Sequence, residues 1–435
     1  MGQAQGCAKV CGIRQEEPAL PTPDEPSDAP SGSRRLVVLQ HGIIGKRSDL
    51  DAVRCHLQHV AKEASLLDIE VWDSPCNEGW RTHQGVERCA RRLWAALRLR
   101  MEELVSAGEL VRVSMIGHSL GGLFLRRVAA ELHAWAQVQP AGRVILDAYV
   151  SIASPHLGTR CLGVDGEGGV GPLVRSTTLF LRMLLRTVSG MGLRRRGTGR
   201  DLLLDSTTLD GTLVNDAHCE ALRAFTRRIC CCNTQGDWAV PLASGSLCDA
   251  DELCLVRHIS RLSASPLWAP DEAELSAPIQ CRQGADALTQ ALRSATLTVE
   301  VQDNTDGAAS CFVRLSELPA DWNPRATAAL HRTWDDCGGG YAARACDILV
   351  RLRGCGDWQL LPVTFGRRAS FAGGLRCPHV DIIALPGQSK TDAAEPVVRA
   401  IVRMVLTPQV LTPGDAFAPR VETRPTDGRE AEDAV

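Results

Sequence analysis

The sequence predicts an α/β fold with a mostly parallel central sheet and helices on both faces. Two short apolar runs, 36–39 and 111–116, have the length and composition of buried parallel strands. Each run leads directly into a glycine-containing turn, and an apolar helical segment follows the second turn. With 435 residues, of which 44% are hydrophobic, the chain can build one large core of this type with additions.

The first predicted strand ends in a loop with a recognisable chemical use. Leu36-Val-Val-Leu39 runs through Gln40 into His41-Gly-Ile-Ile-Gly45. A loop after an early strand can supply a backbone N–H group to an oxyanion in hydrolases that act through a serine. We expect Ile43 to supply that group.

The second predicted strand ends in a G-x-S-x-G pentapeptide, Gly117-His-Ser-Leu-Gly121. Between a strand and a helix, this motif makes the nucleophile elbow of an α/β-hydrolase fold. The turn is tight, so the positions on either side of the serine need residues without a Cβ atom. The motif makes Ser119 the candidate nucleophile, and it makes the backbone N–H of Leu120 the second oxyanion donor.

The segment after the serine is predicted to be a mostly buried helix with one solvated face. Its N-terminus points at Ser119, and the helix dipole favours negative charge there. The polar residues expected on the solvated face are Arg126, Arg127 and Glu131, and the apolar positions are Leu120, Leu123, Leu125, Val128, Ala129 and Leu132.

A serine nucleophile needs a base and an orienting carboxylate, and in this fold the chain order is Ser, then Asp or Glu, then His. Asp237 follows the apolar run 228–232 in a glycine-containing loop, and Asp205 is its rival. His379, the last histidine, has the right order. His258 and His331 are the alternative bases, whereas His41, His118 and His156 lie beside the motifs and are expected to be hydrogen-bonded structural residues.

Six segments of the chain occur in an order and with motifs that are typical of one family. They are Leu36–Gly45, Met115–Leu123, Ser151–Gly158 with its Pro-His-Leu-Gly stretch, Gly197–Asp205, Cys232–Asp237 with Val240-Pro241, and Trp358–Phe365 with Pro378-His-Val380. Together they resemble the putative serine esterase family of lipase-like α/β-hydrolases. The resemblance covers residues 34–248 and 347–406, is specific for the family but not for a substrate, and implies a triad of Ser119, Asp237 and His379.

The hydrolase core is predicted over residues 34–248 and 346–406. The stretch between, 249–345, is longer than this fold needs and is interpreted as an insertion before the last strands, with β-like runs at 295–301 and 311–315. Residues 172–196 are predicted to form an apolar helical segment with arginines on one side. They are interpreted either as a lid that contacts a membrane surface or as an ordinary packed helix.

Composition narrows the class further. The net charge of −3 does not favour a nucleic-acid partner, and no run of 18 apolar residues predicts a spanning helix. Eighteen cysteines without a C-x-x-C pair, and no apolar N-terminal leader, favour a reduced protein of the cytoplasm. Residues 1–33 and 407–435 are predicted to be disordered; Met1-Gly2 with Cys7 and Cys11 resembles an acylated start, although Gly6 does not fit the myristoylation pattern.

The predicted reaction is hydrolysis of a carboxylic ester, an acyl lipid or another hydrophobic ester, through an acyl-serine. No metal or organic cofactor is expected, and the spacing of Cys337, Cys346, Cys355 and Cys377 is not that of a known zinc site. Two alternatives stay open. An acyltransferase would use the same acyl-enzyme with another acceptor, and a non-catalytic binding module would keep the fold but lack a triad member.

Overall fold

The computed structural model describes residues 33–63, 68–159, 197–234, 237, 239–249, 252, 253, 256, 297–303, 309–316, 318, 340–363, 378–384 and 391–406. The predicted terminal segments up to residue 32 and from 407 onwards, the candidate lid at 172–196, and the alternative bases His258 and His331 lie outside these residues. Among the described helices, none combines the length and the apolar character that crossing a bilayer requires.

One eight-stranded sheet organises the described residues. Its spatial order is β2-β1-β3-β4-β5-β8-β7-β6, and all pairings from β2 to β8 are parallel. The predicted α/β-hydrolase fold with a mostly parallel sheet is confirmed. The strands are β1 (Ser33–Gln40), β2 (Ile69–Asp73), β3 (Leu110–His118), β4 (Val144–Ile152), β5 (Arg227–Asn233), β6 (Leu297–Asp303), β7 (Ala309–Leu315) and β8 (Trp358–Val363).

Helices cover both faces of the sheet. In β1, Leu36 and Val38 belong to one buried cluster, whereas Val37 and Leu39 belong to a second cluster on the opposite face. This alternation follows from the two-residue period of a strand. The α-helices are α1 (Asp51–Glu63), α2 (Val86–Ser106), α3 (Leu120–Gln137), α4 (Thr198–Leu202), α5 (Asp216–Ala224), α6 (Leu242–Ser246), α7 (Tyr341–Arg353), α8 (Pro378–Asp381) and α9 (Thr391–Leu406).

The two core clusters show which helices cover each face of the sheet. Buried residues of α2, α3 and α5 pack on the first face, and those of α1 and α9 pack on the second. Because the strands are parallel up to β8, the carboxyl ends of β1, β3 and β5 meet at one edge of the sheet. Loops at this edge are where an α/β sheet places its functional residues.

Strands β6 and β7 lie in the segment 249–345, which the sequence predicts to be an insertion. They form an antiparallel pair, and β7 pairs antiparallel with β8. The two strands therefore extend the central sheet beyond its parallel part. The bounds of the insertion stay a prediction.

The helix after the serine departs from expectation at one residue. Arg126 was predicted on a solvated face with Arg127 and Glu131, but it is fully buried. Its Nη1 lies 3.2 Å from His156 Nδ1, whereas Arg127 reaches outward to Glu87 and Glu131. A helical period places Arg126 on the side of α3 that faces β4 and the loop after it, so the prediction for this residue was wrong.

Candidate active site

Ser119 occupies the sharp turn between β3 and α3. Its backbone dihedrals are φ 53° and ψ −125°, a conformation that residues with a side chain rarely adopt. A Cβ atom on Gly117 would lie 2.5 Å from the Gly122 nitrogen, and one on Gly121 would overlap the Gln40 carbonyl oxygen. The two glycines of the motif are therefore required by close backbone contacts, and the turn presents the serine at the carboxyl edge of the sheet.

The structure brings Ser119, His379 and Asp237 together in one hydrogen-bonded chain. His379 Nε2 lies 2.8 Å from Ser119 Oγ, and His379 Nδ1 lies 3.0 Å from Asp237 Oδ2. The serine hydroxyl can thus donate to Nε2 while the Nδ1–H donates to the carboxylate. Ser119 is 5% exposed, and the side chains of His379 and Asp237 are 9% and 3% exposed, so the chain is shielded from water.

Four donors hold the Asp237 carboxylate. Its Oδ1 accepts from the backbone N–H groups of Ala239 and Val240, both at 2.9 Å. Its Oδ2 accepts from the Asn233 amide at 2.8 Å, besides the imidazole of His379. Burial by itself would raise the pKa of Asp237, but the His379 ring, the Val240 N–H and the Asn233 amide outweigh it and lower the pKa. The carboxylate stays ionised and can orient an imidazole.

The three histidines beside the motifs take positions other than that of the base. His118 Nε2 lies 2.8 Å from the carbonyl oxygen of His379. His156 lies between Arg126 and Ser151, with Nε2 2.9 Å from Ser151 Oγ. His41 Nδ1 lies 3.0 Å from a backbone carbonyl oxygen of its own loop. Burial lowers the pKa of all three rings, so each is a neutral hydrogen-bonding group.

Of the two candidate carboxylates, only Asp237 reaches the histidine. Asp205 is exposed and lies just beyond α4. The residues before it make structural contacts instead, since Thr198 Oγ1 accepts from the Gly85 N–H and Asp201 Oδ2 accepts from the Val86 N–H. The segment Gly197–Asp205 therefore holds the start of α2 in place.

The loop after β1 lies directly against the serine. A Cβ atom on Gly42 would be 2.8 Å from Ser119 Cβ and 3.3 Å from Ser119 Oγ. The absence of that atom leaves room for the loop to approach, and the next backbone N–H belongs to Ile43. The Ile44 N–H donates to Thr82 Oγ1 at 2.9 Å, which holds the loop in place. Gly42 and Ser119 are thus in contact, and the two expected oxyanion donors are the next residues in the chain, Ile43 after Gly42 and Leu120 after Ser119.

Two contacts of the site were not foreseen from the sequence. Asn233, the last residue of β5, stands four positions before Asp237, which is a local signal that could have suggested its contact. The bond from His118 to the backbone of His379 spans 261 residues, and nothing in the local sequence indicates it. In the described part of the chain, no three His, Cys, Asp or Glu residues are grouped to hold a metal ion.

Comparison with known proteins places the chain in a sequence family. The family model "Putative serine esterase (DUF676)" matches residues 30–250, just over half of the chain. No curated protein matches the chain.

Solved structures of hydrolases are similar over part of the chain. The phospholipase PlaB from Legionella pneumophila shares 14% identity over 49% of this chain and 45% of its own, with a TM-score of 0.32. Est1E from Butyrivibrio proteoclasticus, solved with ferulic acid, shares 14% identity over 50% of this chain and 75% of its own, with a TM-score of 0.27. The RedJ thioesterase from Streptomyces coelicolor shares 20% identity over 41% of this chain and 64% of its own, with a TM-score of 0.22. The chain thus spans less than half the length of PlaB.

Proposed function

The chain belongs to the putative serine esterase family, and on this premise we propose that it is a serine hydrolase whose catalytic triad is Ser119, His379 and Asp237. The observation that carries the proposal is the unbroken chain of hydrogen bonds from carboxylate to imidazole to hydroxyl, with distances of 3.0 and 2.8 Å. The serine at its end is held in a rare backbone conformation. Strain of that kind persists where the surrounding structure imposes it, and it is concentrated at functional sites.

The proposed reaction is ester hydrolysis in two steps. Ser119 Oγ attacks the carbonyl carbon while His379 Nε2 takes its proton; the tetrahedral intermediate then collapses, the His379 proton passes to the departing alkoxide, and an acyl-serine remains. A water molecule, deprotonated by the same imidazole, attacks the acyl-serine. The second tetrahedral intermediate then expels Ser119 Oγ, which takes the proton back from His379, and the carboxylic acid is released. Asp237 holds the Nδ1–H tautomer and stabilises the imidazolium that forms in each step.

The backbone N–H groups of Ile43 and Leu120 are proposed to bind the oxyanion. The contact between Gly42 and Ser119 brings the first of these groups to the serine, and Leu120 begins the 18-residue helix α3. Donors fixed in the backbone need no rearrangement as the charge develops, and the positive end of the α3 dipole adds to them.

A hydrophobic acyl group is the substrate feature that the surroundings of the site favour. Ile44 directly follows the proposed oxyanion residue and is 50% exposed, and Trp80 is 68% exposed. The Gly79 N–H donates to the Gly45 carbonyl oxygen at 2.9 Å, which joins the loop that carries Ile44 to the short 3₁₀ helix that carries Trp80 (Gly79–Gln84). We infer that these two apolar side chains receive an acyl chain, and that the natural substrate is an acyl lipid or a similar ester.

We retain as part of the proposal an intracellular, cytoplasmic location with peripheral membrane contact. Cys230, Cys231, Cys232 and Cys248 are free thiols buried in the core, as expected of a protein kept reduced. The arginine-bearing segment 172–196 is the proposed membrane contact.

The test combines a chemical probe with an ester series. A fluorophosphonate should label the parent protein and leave Ser119→Ala unlabelled; labelling of the variant at another residue would reject the proposed nucleophile. Lipid profiling of cells that contain the parent or the variant would then show which esters accumulate.

The acyl-binding proposal needs substrates of different chain length. In Trp80→Ala, kcat/KM for a long p-nitrophenyl ester should fall about tenfold, because a large apolar contact is lost, while the acetate ester is hardly affected. Leu99→Ala is the matched control, since Leu99 is 64% exposed on α2, outside the two segments that carry Ile44 and Trp80. Equal losses for long and short esters would exclude Trp80 from the acyl site.

A further inference from the structure

His118, the residue before the proposed nucleophile, bonds to the backbone of the proposed base. Its Nε2 lies 2.8 Å from the carbonyl oxygen of His379. A carbonyl oxygen can only accept, so this nitrogen carries the hydrogen and donates. The two rings are tilted at 42° with their centroids 4.9 Å apart, so they lie side by side without sharing a ring-to-ring hydrogen bond.

The surroundings of His118 keep its ring uncharged. The residue is 5% exposed, and burial together with the neighbouring His379 lowers its pKa to about 3. The charged or titratable groups near it are His379, Asp237 and His41. A neutral donor suits this position, because a permanent cation next to His379 would repel the imidazolium that forms during the reaction.

We propose that His118 is a positioning residue that fixes the main chain of His379 relative to Ser119. The inference rests on the proposed triad. Asp237 and Ser119 contact the two ring nitrogens of His379, which restricts the orientation of the ring, but neither of these two bonds involves the His379 backbone. The bond from His118 adds a third point of attachment, at the peptide carbonyl of the base itself.

The bond also connects the backbone of the base to the residue directly before the nucleophile. His118 is the last residue of β3, and Ser119 follows it in the strained turn, where the Ser119 N–H donates to the Ile152 carbonyl oxygen at 2.7 Å. Any shift of the His379 backbone would have to break its bond to this rigid turn. A displacement of about 1 Å between reacting groups can cost about 100-fold in rate, so such a link has a measurable consequence.

The first test removes the donor while keeping a ring. His118→Phe should lower kcat for a short soluble ester about 10- to 100-fold and leave KM nearly unchanged, because the substrate still binds but the base is displaced. His118→Gln should recover most of the loss, because its side-chain nitrogen is the same number of bonds from Cβ as Nε2. If the Phe variant does not fold, His118→Leu takes its place, and the melting temperature of every variant is measured. A parental kcat in a folded Phe or Leu variant, or no recovery with Gln, would overturn the proposal.

The second test asks whether His118 acts through His379. In a His379→Ala background, His118→Phe should cause no further loss of the residual rate, because the base it positions is gone. An additional loss of the same size as in the parent would overturn the positioning role. If His379→Ala alone kept the parental rate, the proposed triad would fail instead, and so the two failures are distinguishable.

Discussion

The serine and the base of the proposed triad are placed by different means. Ser119 is held by its own neighbours in sequence, since Gly117 and Gly121 permit the backbone contacts that its turn requires. Asp237 lies in a loop and His379 lies in α8, 142 residues further along the chain, and the two meet through a tertiary contact. The serine side of the site is therefore determined by the pentapeptide 117–121. The base side, Asp237 and His379, depends on how distant parts of the chain pack.

This difference suggests what each side should tolerate. The serine side depends on close backbone contacts, so it should be disturbed when a single atom is added at one of those contacts. The base side depends on tertiary contacts, so it should be disturbed when one hydrogen-bond partner is removed, even if that partner is distant in sequence. Substitutions on the two sides should therefore differ both in what they disturb and in how much activity or stability they remove.

Removing the nucleophile should have the largest effect on activity and a small effect on folding. Ser119→Ala is expected to lower kcat about 10⁴- to 10⁶-fold, because without the hydroxyl no acyl-serine forms. The measurement is hydrolysis of a short p-nitrophenyl ester, with the melting temperature as the control for folding. A folded variant that hydrolyses the ester at the parental rate would remove the serine from the site.

On the base side, the carboxylate should matter nearly as much as the serine. Asp237→Asn is expected to lower kcat about 10⁴-fold, because an amide can favour the wrong imidazole tautomer and cannot stabilise the imidazolium. The matched control is Asp205→Asn, which changes an exposed carboxylate near α4 in the same way. Equal losses in the two variants would mean that Asp237 has no special role.

The contrast between the two sides also explains what could be predicted from the sequence. The parallel sheet, the turn at Ser119 and the family follow from short local patterns, and the structure and comparisons confirm the fold and the family. The choice of Asp237 and His379 came from chain order and resemblance, with rivals left open. The structure places those two residues beside the serine, while their catalytic roles stay a proposal.

The features that could not be predicted depend on long-range contacts. Arg126 looked like a surface residue because arginines usually are, yet it is buried against His156, a residue on the loop after another strand. The bond between His118 and the backbone of His379 leaves no pattern in either neighbourhood. The strands β6 and β7 were expected as β structure, but their pairing onto β8 is decided by the sheet edge that β8 offers.

A buried ion pair should make the region after the Asp237 loop sensitive to loss of a partner. Arg353 and Glu252 are 0% and 2% exposed, 2.7 Å apart, and separated by 101 residues in sequence. Arg353→Met should lower the free energy of unfolding by about 3–5 kcal/mol, because it leaves the Glu252 carboxylate buried without its cation. Chemical denaturation of the parent and the variant would measure this change in the free energy of unfolding. Adding Glu252→Leu to the same chain should restore much of the loss, and a double variant less stable than the single one would contradict this explanation.

The smallest expected effect is on the serine side, where one added methyl group tests the backbone contacts directly. In Gly121→Ala the new Cβ would overlap the Gln40 carbonyl oxygen and lie 2.6 Å from the His41 carbonyl oxygen, so the loop after β1 or the turn must move. The displacement should lower the free energy of unfolding by about 1–3 kcal/mol, as overpacking does, and should also lower kcat because the proposed oxyanion donor at Ile43 belongs to the displaced loop.

Gly354→Ala is the matched control. Its Cβ would approach only the Val350 carbonyl oxygen, at 3.4 Å, and the Arg351 carbonyl oxygen, at 3.6 Å, and should leave both quantities nearly unchanged. If both alanine variants behaved like the parent in denaturation and in ester hydrolysis, the close backbone approach could not be what places the serine, and the contrast between the two sides of the site would be lost.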